Sequence, residues 1–284
     1  MDVEKIQTYL ELNGYTFELT EDGSPTLRLG QGESMHHFGG AAGESLYIYQ
    51  TALDFLYSNE RPLFEISELK SHSEDFLKKK TLMNSKDQIN SEKLNIMSLG
   101  FGLGYNELLV ALWAIKNKFE DRQTSLVSFE IDSFFYNEFN KWLTRSEETP
   151  MTPIYDLILN KILELNHKTY PENESGLLDQ IKSKLLNWKL QGIWRQQGEL
   201  MNVKQLAQKF NLFIFDAFSV KTTPHLWSND FLEPLLSSHR GAPCVFSTYA
   251  CRGELKRFLQ RENFIFLKRP GFKGKRNSTL AFRE

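Results

Sequence analysis

Apolar positions along this chain repeat with two periods, one near 3.6 residues and one of two, and the alternation between them predicts its elements. Val3, Ile6, Tyr9 and Leu10 fall on one face of a short amphipathic helix within residues 1–14. Two strand-like runs follow, Tyr15–Leu19 and Pro25–Leu29, and the Asp22-Gly23 pair between them predicts a β-hairpin. The next segment turns helical from Glu44, after a neck at Gly39, Gly40 and Gly43. Lys70–Lys93 is polar and reads as a connecting helix and loop. Leu94, Ile96, Met97 and Leu99 then form a buried strand running into Gly100, Gly102 and Gly104, and a helix is expected over Asn106–Lys116. Ser125–Glu130 (SLVSFE) is a second apolar run. From Phe134 to Gln197 the pattern is long, charged and helical, punctuated by Pro150, Pro153, Pro171 and Gly176, and is read as a helical insertion at about 134–197. Strands resume at Leu212–Phe215 and Pro243–Ser247, with helices over Asp230–Ser238 and Glu254–Glu262. Phe264–Leu267 and Thr279–Phe282 close as a pair. Strands alternating with helices predict an α/β doubly wound sheet, and the final pair predicts an antiparallel strand at one edge.

Composition changes this picture little: 284 residues, 40% hydrophobic and 25% charged, are the make-up of an ordinary globular protein. No apolar run approaches the ~20 residues of a membrane helix, and the N-terminus lacks the form of a secretion signal, so a cytoplasmic protein with no membrane partner is expected. Cys244 and Cys251 fit reduced thiols better than a disulfide or a metal site. Adjacent His36 and His37 do not make a metal site either, because neighbours cannot normally both ligate one ion. One of them is expected near the cofactor mouth, with Glu44 fixing the loop. The net charge of −2 conceals a polarity: from Arg252 onward ten basic residues face three acidic ones, a balance of +7 against −9 for the rest. That end reads equally as a phosphate-binding surface or as a solvated helix face.

Candidate chemistry gathers where the strands end. In an open α/β sheet the ligand lies outside the carboxyl ends of the strands, here Gly100–Gly104, Glu130, Gly198-Glu199, Asp216 and Ser247–Tyr249. Glycines let a ligand approach the backbone, although a strand-to-helix turn also uses them for packing. Glu130, at the tip of the second strand, is placed to accept from a ribose diol. The spacing G-x-G-x-G favours a nucleoside with an amino-acid tail, such as S-adenosylmethionine, over a dinucleotide. Asp216 follows four apolar residues, so its carboxylate is expected to be partly shielded and to face the cofactor; the alternative is a cap on the next loop. Phe101, Tyr105, Phe218, Trp227 and Tyr249 are core or pocket wall, and one could stack on a flipped uracil.

The run DAFSVKTTPHLW resembles the active-site loop of the methyltransferase domain of the tRNA 5-methylaminomethyl-2-thiouridine biosynthesis enzyme family, MnmC. TEDGSPTLRL, ESMHHFGGA with Glu33 and His36, LGFGLGYN, FEID, STYA followed by LKRFL, and GFKGKRNSTLAF resemble that family's landmarks in the same order. The likeness spans nearly the whole chain apart from the insertion. Val220 stands where the family has a proline, and Thr222 and Thr223 where it has lysine or asparagine. The resemblance implies a class I S-adenosylmethionine-dependent methyltransferase fold over residues 94–284, with residues 1–93 packed on it as a hairpin and helical extension. It implies cofactor contacts from Gly100, Phe101, Gly102, Gly104, Asn106, Glu130, Glu199, Asp216 and Glu44, and a catalytic Asp216. On the substrate side it implies Phe218, Trp227 and Tyr249. Lys256, Arg257, Lys273, Lys275 and Arg276 are the candidates for docking tRNA at its anticodon loop. The implied reaction converts 5-aminomethyl-(2-thio)uridine at the wobble position to its methylaminomethyl form, without a metal. With the chain ending at Glu284, the stand-alone form without the flavin-dependent oxidase module is expected, working with a separate enzyme that makes the aminomethyl precursor. A small-molecule amine methyl- or aminopropyltransferase and a non-catalytic RNA-binding relative are the competing readings.

Overall fold

A computed structural model describes residues 2–30, 32–57, 94–167, 176–198, 206–274 and 277–283. The Lys70–Lys93 connection expected from sequence lies outside them.

Helix α1 (Val3–Leu12) begins at Asp2, whose carboxylate accepts from the Lys5 amide, and buries Ile6 and Leu10. Strands β1 (Tyr15–Leu19) and β2 (Pro25–Leu29) pair antiparallel in the register Tyr15↔Leu29, residue for residue the hairpin read from sequence. Its turn folds around Asp22, which accepts from the Thr20 hydroxyl at 2.8 Å, the Ser24 amide at 3.0 Å and, across the neck, the Gly43 amide at 3.1 Å. Burial works against that carboxylate, but these hydrogen bonds win and hold its pKa below the usual range. Helix α2 (Ala41–Ser45), a π-helical stretch Leu46–Gln50 and helix α3 (Thr51–Tyr57) continue the chain.

Seven strands form the main sheet: β3 (Leu94–Leu99), β4 (Thr124–Phe129), β5 (Trp194–Gln197), β6 (Phe210–Phe215), β7 (Arg240–Thr248), β8 (Ile265–Arg269) and β9 (Ser278–Arg283), in the order β5-β4-β3-β6-β7-β9-β8. β9 runs antiparallel to both its neighbours. Two expectations are corrected here. The antiparallel strand is not at the edge but one place in, because β9 returns between β7 and β8. The stretch read as wholly helical ends in the edge strand β5, where only Trp194 is buried, so its four residues carry no apolar alternation.

Helices α4 (Tyr105–Lys116), α5 (Ser133–Thr144), α6 (Thr152–His167) and α7 (Leu177–Leu190) connect β3 to β5 through β4. α6 and α7 pack on α4, which is buried from Tyr105 to Ala114, and the apolar side chains Tyr155, Ile158, Ile181, Leu185 and Trp188 fill the contact. Helices α8 (Asn229–His239) and α9 (Gly253–Arg261) lie beside β6–β8 around a second cluster built on Phe213, Phe215, Phe246 and Phe258.

Arg269, counted from sequence within the basic end, is only 9% exposed and is no surface charge. Its guanidinium donates to the hydroxyls of Ser278, Thr51 and Ser247 and to the Ile48 carbonyl, all within 2.9 Å, tying the π-helical stretch to the sheet. Burial lowers its pKa to about 10.

Register decides where the site forms. Leu99 pairs with Phe129 on one side and Phe215 on the other, so Gly100, Glu130 and Asp216 leave the sheet side by side. The order of strands reverses between β3 and β6, which opens a crevice there.

Candidate active site

A cavity of about 780 Å³ fills that crevice. Gly100, Phe101, Gly102 and Asn106 line it from the first turn, Glu130, Ile131 and Asp132 from the tip of β4, and Asp216, Ala217 and Phe218 from β6. Residues 33–38 and Glu44 of the N-terminal region form another wall, and Tyr249 after β7 completes it.

The turn's glycines all have positive φ, but for different reasons. At Gly100 (φ +82°) an added Cβ would stand 2.4 Å from the Asp216 carbonyl oxygen, so adjacent strand ends can approach only without it. At Gly102 (φ +49°) the nearest atom to such a Cβ is the Met35 sulfur at 3.5 Å, leaving bare backbone toward the cavity. Gly104 does not line the cavity; its absent Cβ makes room for the Phe139 ring, which would come within 2.6 Å.

Glu130 accepts from the Gly102 amide at 2.9 Å and the Asp132 amide at 3.0 Å, which fixes its carboxylate under the turn and leaves lone pairs for further donors. Burial raises its pKa, opposed by those amide bonds. Asp132 is itself tied down by the Tyr15 hydroxyl at 2.6 Å, joining the hairpin to the tip of β4.

The Asp216 amide donates to the Leu99 carbonyl at 3.0 Å, and its carboxylate accepts from the Asn106 side-chain amide at 2.9 Å. Tyr49 and Tyr249 stand near it: the hydroxyl pKa of each is raised first by burial and next by the Asp216 carboxylate. Behind Asn106, Glu107 is fully buried and accepts from the Ser128 hydroxyl at 2.7 Å, which in turn accepts from the Trp194 indole at 3.0 Å. Burial pushes the Glu107 carboxyl up to about 7, against the pull of its serine partners.

Electrostatically the cavity has one sign. Glu33, Glu44, Glu130, Asp132 and Asp216 line it, and no lysine or arginine does among the described residues. Such a lining favours a cation.

The loop after Asp216 is held by side chains. The Thr223 hydroxyl and the Trp227 indole both donate to the Phe218 carbonyl, at 2.8 and 2.7 Å. Glu33 accepts from the Ser219 amide at 3.1 Å and the Thr222 hydroxyl at 2.8 Å, and the Tyr249 hydroxyl donates to Ala217 O at 2.9 Å.

Of the residues singled out from sequence, Gly100, Phe101, Gly102, Asn106, Glu130, Asp216, Glu44, Phe218 and Tyr249 line the cavity. Trp227 does not; it packs on Phe215 beneath the loop. Lys256 and Arg257 are exposed on α9 away from the lining, and Lys273 donates to the Gly39 carbonyl at 2.6 Å. Glu199, Lys275 and Arg276 lie outside the described residues. His36 and His37 line the cavity: His36 Nδ1 lies 3.1 Å from the Thr26 hydroxyl and the ring packs edge-on to Tyr105, while the His37 amide donates to Glu44 at 2.8 Å. Sequence reasoning gave no role to Tyr49 or Glu107 and used Glu33 only as a landmark. A lone carboxylate inside the apolar helix NELLVALWAI was the one available signal, for Glu107.

The comparisons with known proteins agree on one chemistry. A family model described as S-adenosyl-L-methionine-dependent methyltransferase matches residues 159–284. The chain is a methyltransferase that uses S-adenosylmethionine. It is similar to the tRNA 5-methylaminomethyl-2-thiouridine biosynthesis bifunctional protein MnmC of Hahella chejuensis, 36% identical over 73 residues, 26% of this chain and 12% of that one. Against MnmC of Campylobacter hominis it is 27% identical over 195 residues, 66% of this chain and 25% of the relative. The matched stretches cover a quarter or less of the length of these curated relatives. In fold it is similar to the crystal structure of MNMC2 from Aquifex aeolicus, with a TM-score of 0.56 and 21% identity, covering 94% of this chain and 70% of that one. The methyltransferase also has the class I strand order, with β9 as its antiparallel strand. No helix among the described residues is long and apolar enough to cross a membrane, and no group of three metal-binding side chains stands together among them.

Proposed function

We propose that this methyltransferase acts on the exocyclic amine of 5-aminomethyl-(2-thio)uridine at the wobble position of tRNA, as a cytoplasmic enzyme supplied with that amine by a separate one. Residues 94–284 carry the transferase in this reading, and residues 1–93 extend it. The observation that carries the proposal is Asp216, held by Asn106 beside a bare glycine turn in a cavity lined by carboxylates.

The residues fit the cofactor. Gly102 offers backbone that no side chain covers, and Glu130, fixed by two amides, keeps lone pairs for a ribose diol. Gly100, Phe101, Gly102 and Asn106 would hold its methionine part, with Glu130 on the ribose; Gly104 would act indirectly, through the packing of the turn. When bound, S-adenosylmethionine supplies an electrophilic methyl group on a cationic sulfur.

Asp216 then does three things for an amine acceptor. It accepts a hydrogen bond that aims the nitrogen lone pair, it takes a proton from the ammonium form, and it stabilises the positive charge that develops on nitrogen. Asn106 keeps the carboxylate in place by donating to one oxygen. Glu44 and Glu33 add negative potential on the acceptor side. Phe218 and Tyr249 form walls there, Trp227 supporting the loop from below. Tyr249 has its proton committed to the Ala217 carbonyl, so it shapes the pocket and takes no part in proton transfer. RNA phosphates cannot enter so acidic a cavity. They would be met outside it by the basic C-terminal segment, for which Lys256, Arg257, Lys273, Lys275 and Arg276 are the candidates.

Nucleoside mass analysis of tRNA from a strain lacking the protein tests the acceptor. Accumulated 5-aminomethyl-(2-thio)uridine is the expected result, and an unchanged wobble profile would reject it.

A further inference from the structure

Phe38 is 68% exposed, yet it lines the cavity. Single exposed apolar side chains are common on protein surfaces, so exposure alone carries no argument. Here the backbone is fixed. The Phe38 carbonyl accepts from the Glu21 amide at 2.8 Å, the His37 amide donates to Glu44 at 2.8 Å, and the Gly39 amide donates to His37 Nδ1 at 3.1 Å. The Lys273 ammonium closes the strap on the Gly39 carbonyl at 2.6 Å. No ring contact engages Phe38 among the described residues. The fold thus spends several hydrogen bonds on presenting an unpacked benzyl group to solvent.

Its position is more informative than its exposure. Glu33, in the same loop, fastens Ser219 and Thr222, while Met35 faces Gly102 and His36 packs on Tyr105, so the loop carrying Phe38 is joined to the acceptor loop at one end and lies along the glycine turn in its middle. Phe38 lines a cavity walled by carboxylates, and the residue after it, Gly39, is held by the Lys273 ammonium, which also lies 3.8 Å from the Glu21 carboxylate and is half-exposed. A ligand entering past Phe38 needs a cationic group inward, a flat apolar face at the mouth and negative charge outward. A nucleotide in single-stranded RNA bearing an amine has all three.

We infer that Phe38 is the platform on which a nucleobase of the acceptor RNA stacks at the cavity mouth. Stacking on a preset aromatic face tolerates any base and needs no hydrogen-bond readout. Phe38 in this role binds RNA without touching the cofactor. The inference rests on the RNA acceptor proposed above.

The test is steady-state methylation of an anticodon stem-loop RNA carrying 5-aminomethyluridine by wild type, Phe38→Ala, Phe38→Leu and Phe38→Trp. Binding of S-adenosylhomocysteine, measured by calorimetry, reports folding and the donor side in each. Phe38→Ala is expected to raise KM for the RNA about 5- to 100-fold. Phe38→Leu, which keeps apolar bulk without a ring face, should remain impaired, and Phe38→Trp should restore binding. Unchanged S-adenosylhomocysteine affinity is expected throughout. A wild-type KM in Phe38→Ala, or a leucine variant as good as the tryptophan one, would overturn the stacking role while leaving the RNA acceptor intact. Failure of the wild type to methylate the stem-loop, with S-adenosylhomocysteine still bound, would instead remove the RNA reading and this inference with it.

Discussion

The glycine turn at residues 100–104 and the loop at residues 216–227 face one cavity from neighbouring strands, yet they are held by opposite means. The turn is shaped mostly by backbone: three positive φ angles and amides that bond to the Phe129 carbonyl, with one side chain, the Glu130 carboxylate, accepting from the Gly102 amide. The loop is shaped by side chains from across the chain, with Glu33, Thr223, Trp227 and Tyr249 each holding a backbone group of residues 217–219. Backbone geometry suits an invariant part of a ligand, and side-chain bonds suit a part that differs from one enzyme to another. The donor half of the site is thus rigid by conformation, and the acceptor half is adjustable by substitution.

Substitutions on each side should separate these halves. The largest effect is expected at Asp216: Asp216→Asn removes the proton acceptor and should lower kcat about 10²- to 10⁴-fold while S-adenosylhomocysteine affinity, read by calorimetry, stays near wild type. Loss of that affinity as well would move Asp216 to the donor half. Next comes Gly100→Ala, where a left-handed backbone, costing about 1–3 kcal/mol for a non-glycine residue, adds to the collision with the Asp216 carbonyl. It should weaken S-adenosylhomocysteine binding and lower Tm together, and normal values for both would show that the strand ends have room to part.

Glu107 lies behind both halves, and its effect should appear in stability. Its folded pKa of about 7 is raised above the unfolded value of 4.5. Below pH 4.5 the group is protonated in both states and costs nothing; between there and pH 7 the unfolded chain loses its proton first, so stability falls as pH rises and stays lowered above 7. Glu107→Gln should therefore gain stability over wild type between pH 5 and pH 8, by on the order of 2 kcal/mol, in urea titrations at the two pH values. A gap that does not widen with pH would mean the carboxyl ionises freely. The smallest effect belongs to Glu33→Gln, which keeps an acceptor but loses its charge. It should raise the acceptor KM severalfold, consistent with about 1 kcal/mol for a charge-assisted bond, and leave donor binding alone. A change in donor affinity would blur the division between the halves.

Sequence made the elements legible where a local signal existed. Asp22-Gly23 between two alternating runs marked the hairpin to the residue, and the run from Leu94 marked the central strand. It failed where the deciding contact is distant or where an edge strand needs little apolar surface. β5 has one buried residue, so WRQQ itself carries no strand pattern, and only its end, at Gly198-Glu199, was read as a strand tip. The insertion of β9 between β7 and β8 is a choice of partner that no local pattern encodes. Within the site, Glu130 and Asp216 were visible because each ends an apolar run. Glu33 was not, since its contacts with Ser219 and Thr222 join residues remote in the chain. Glycine spacing also over-counted: it grouped Gly104 with Gly102, although Gly104 serves the Phe139 ring. Charge counting likewise placed Arg269 on a surface from which it is absent.

The late return of β9 has a consequence for biosynthesis. Residues 278–283 emerge from the ribosome after every other strand, and until they arrive β7 and β8 each show an open edge of unpaired amides and carbonyls. β7 leads directly to Tyr249, so the strand that carries this clamp on the acceptor loop is paired on one side only until the last strand arrives.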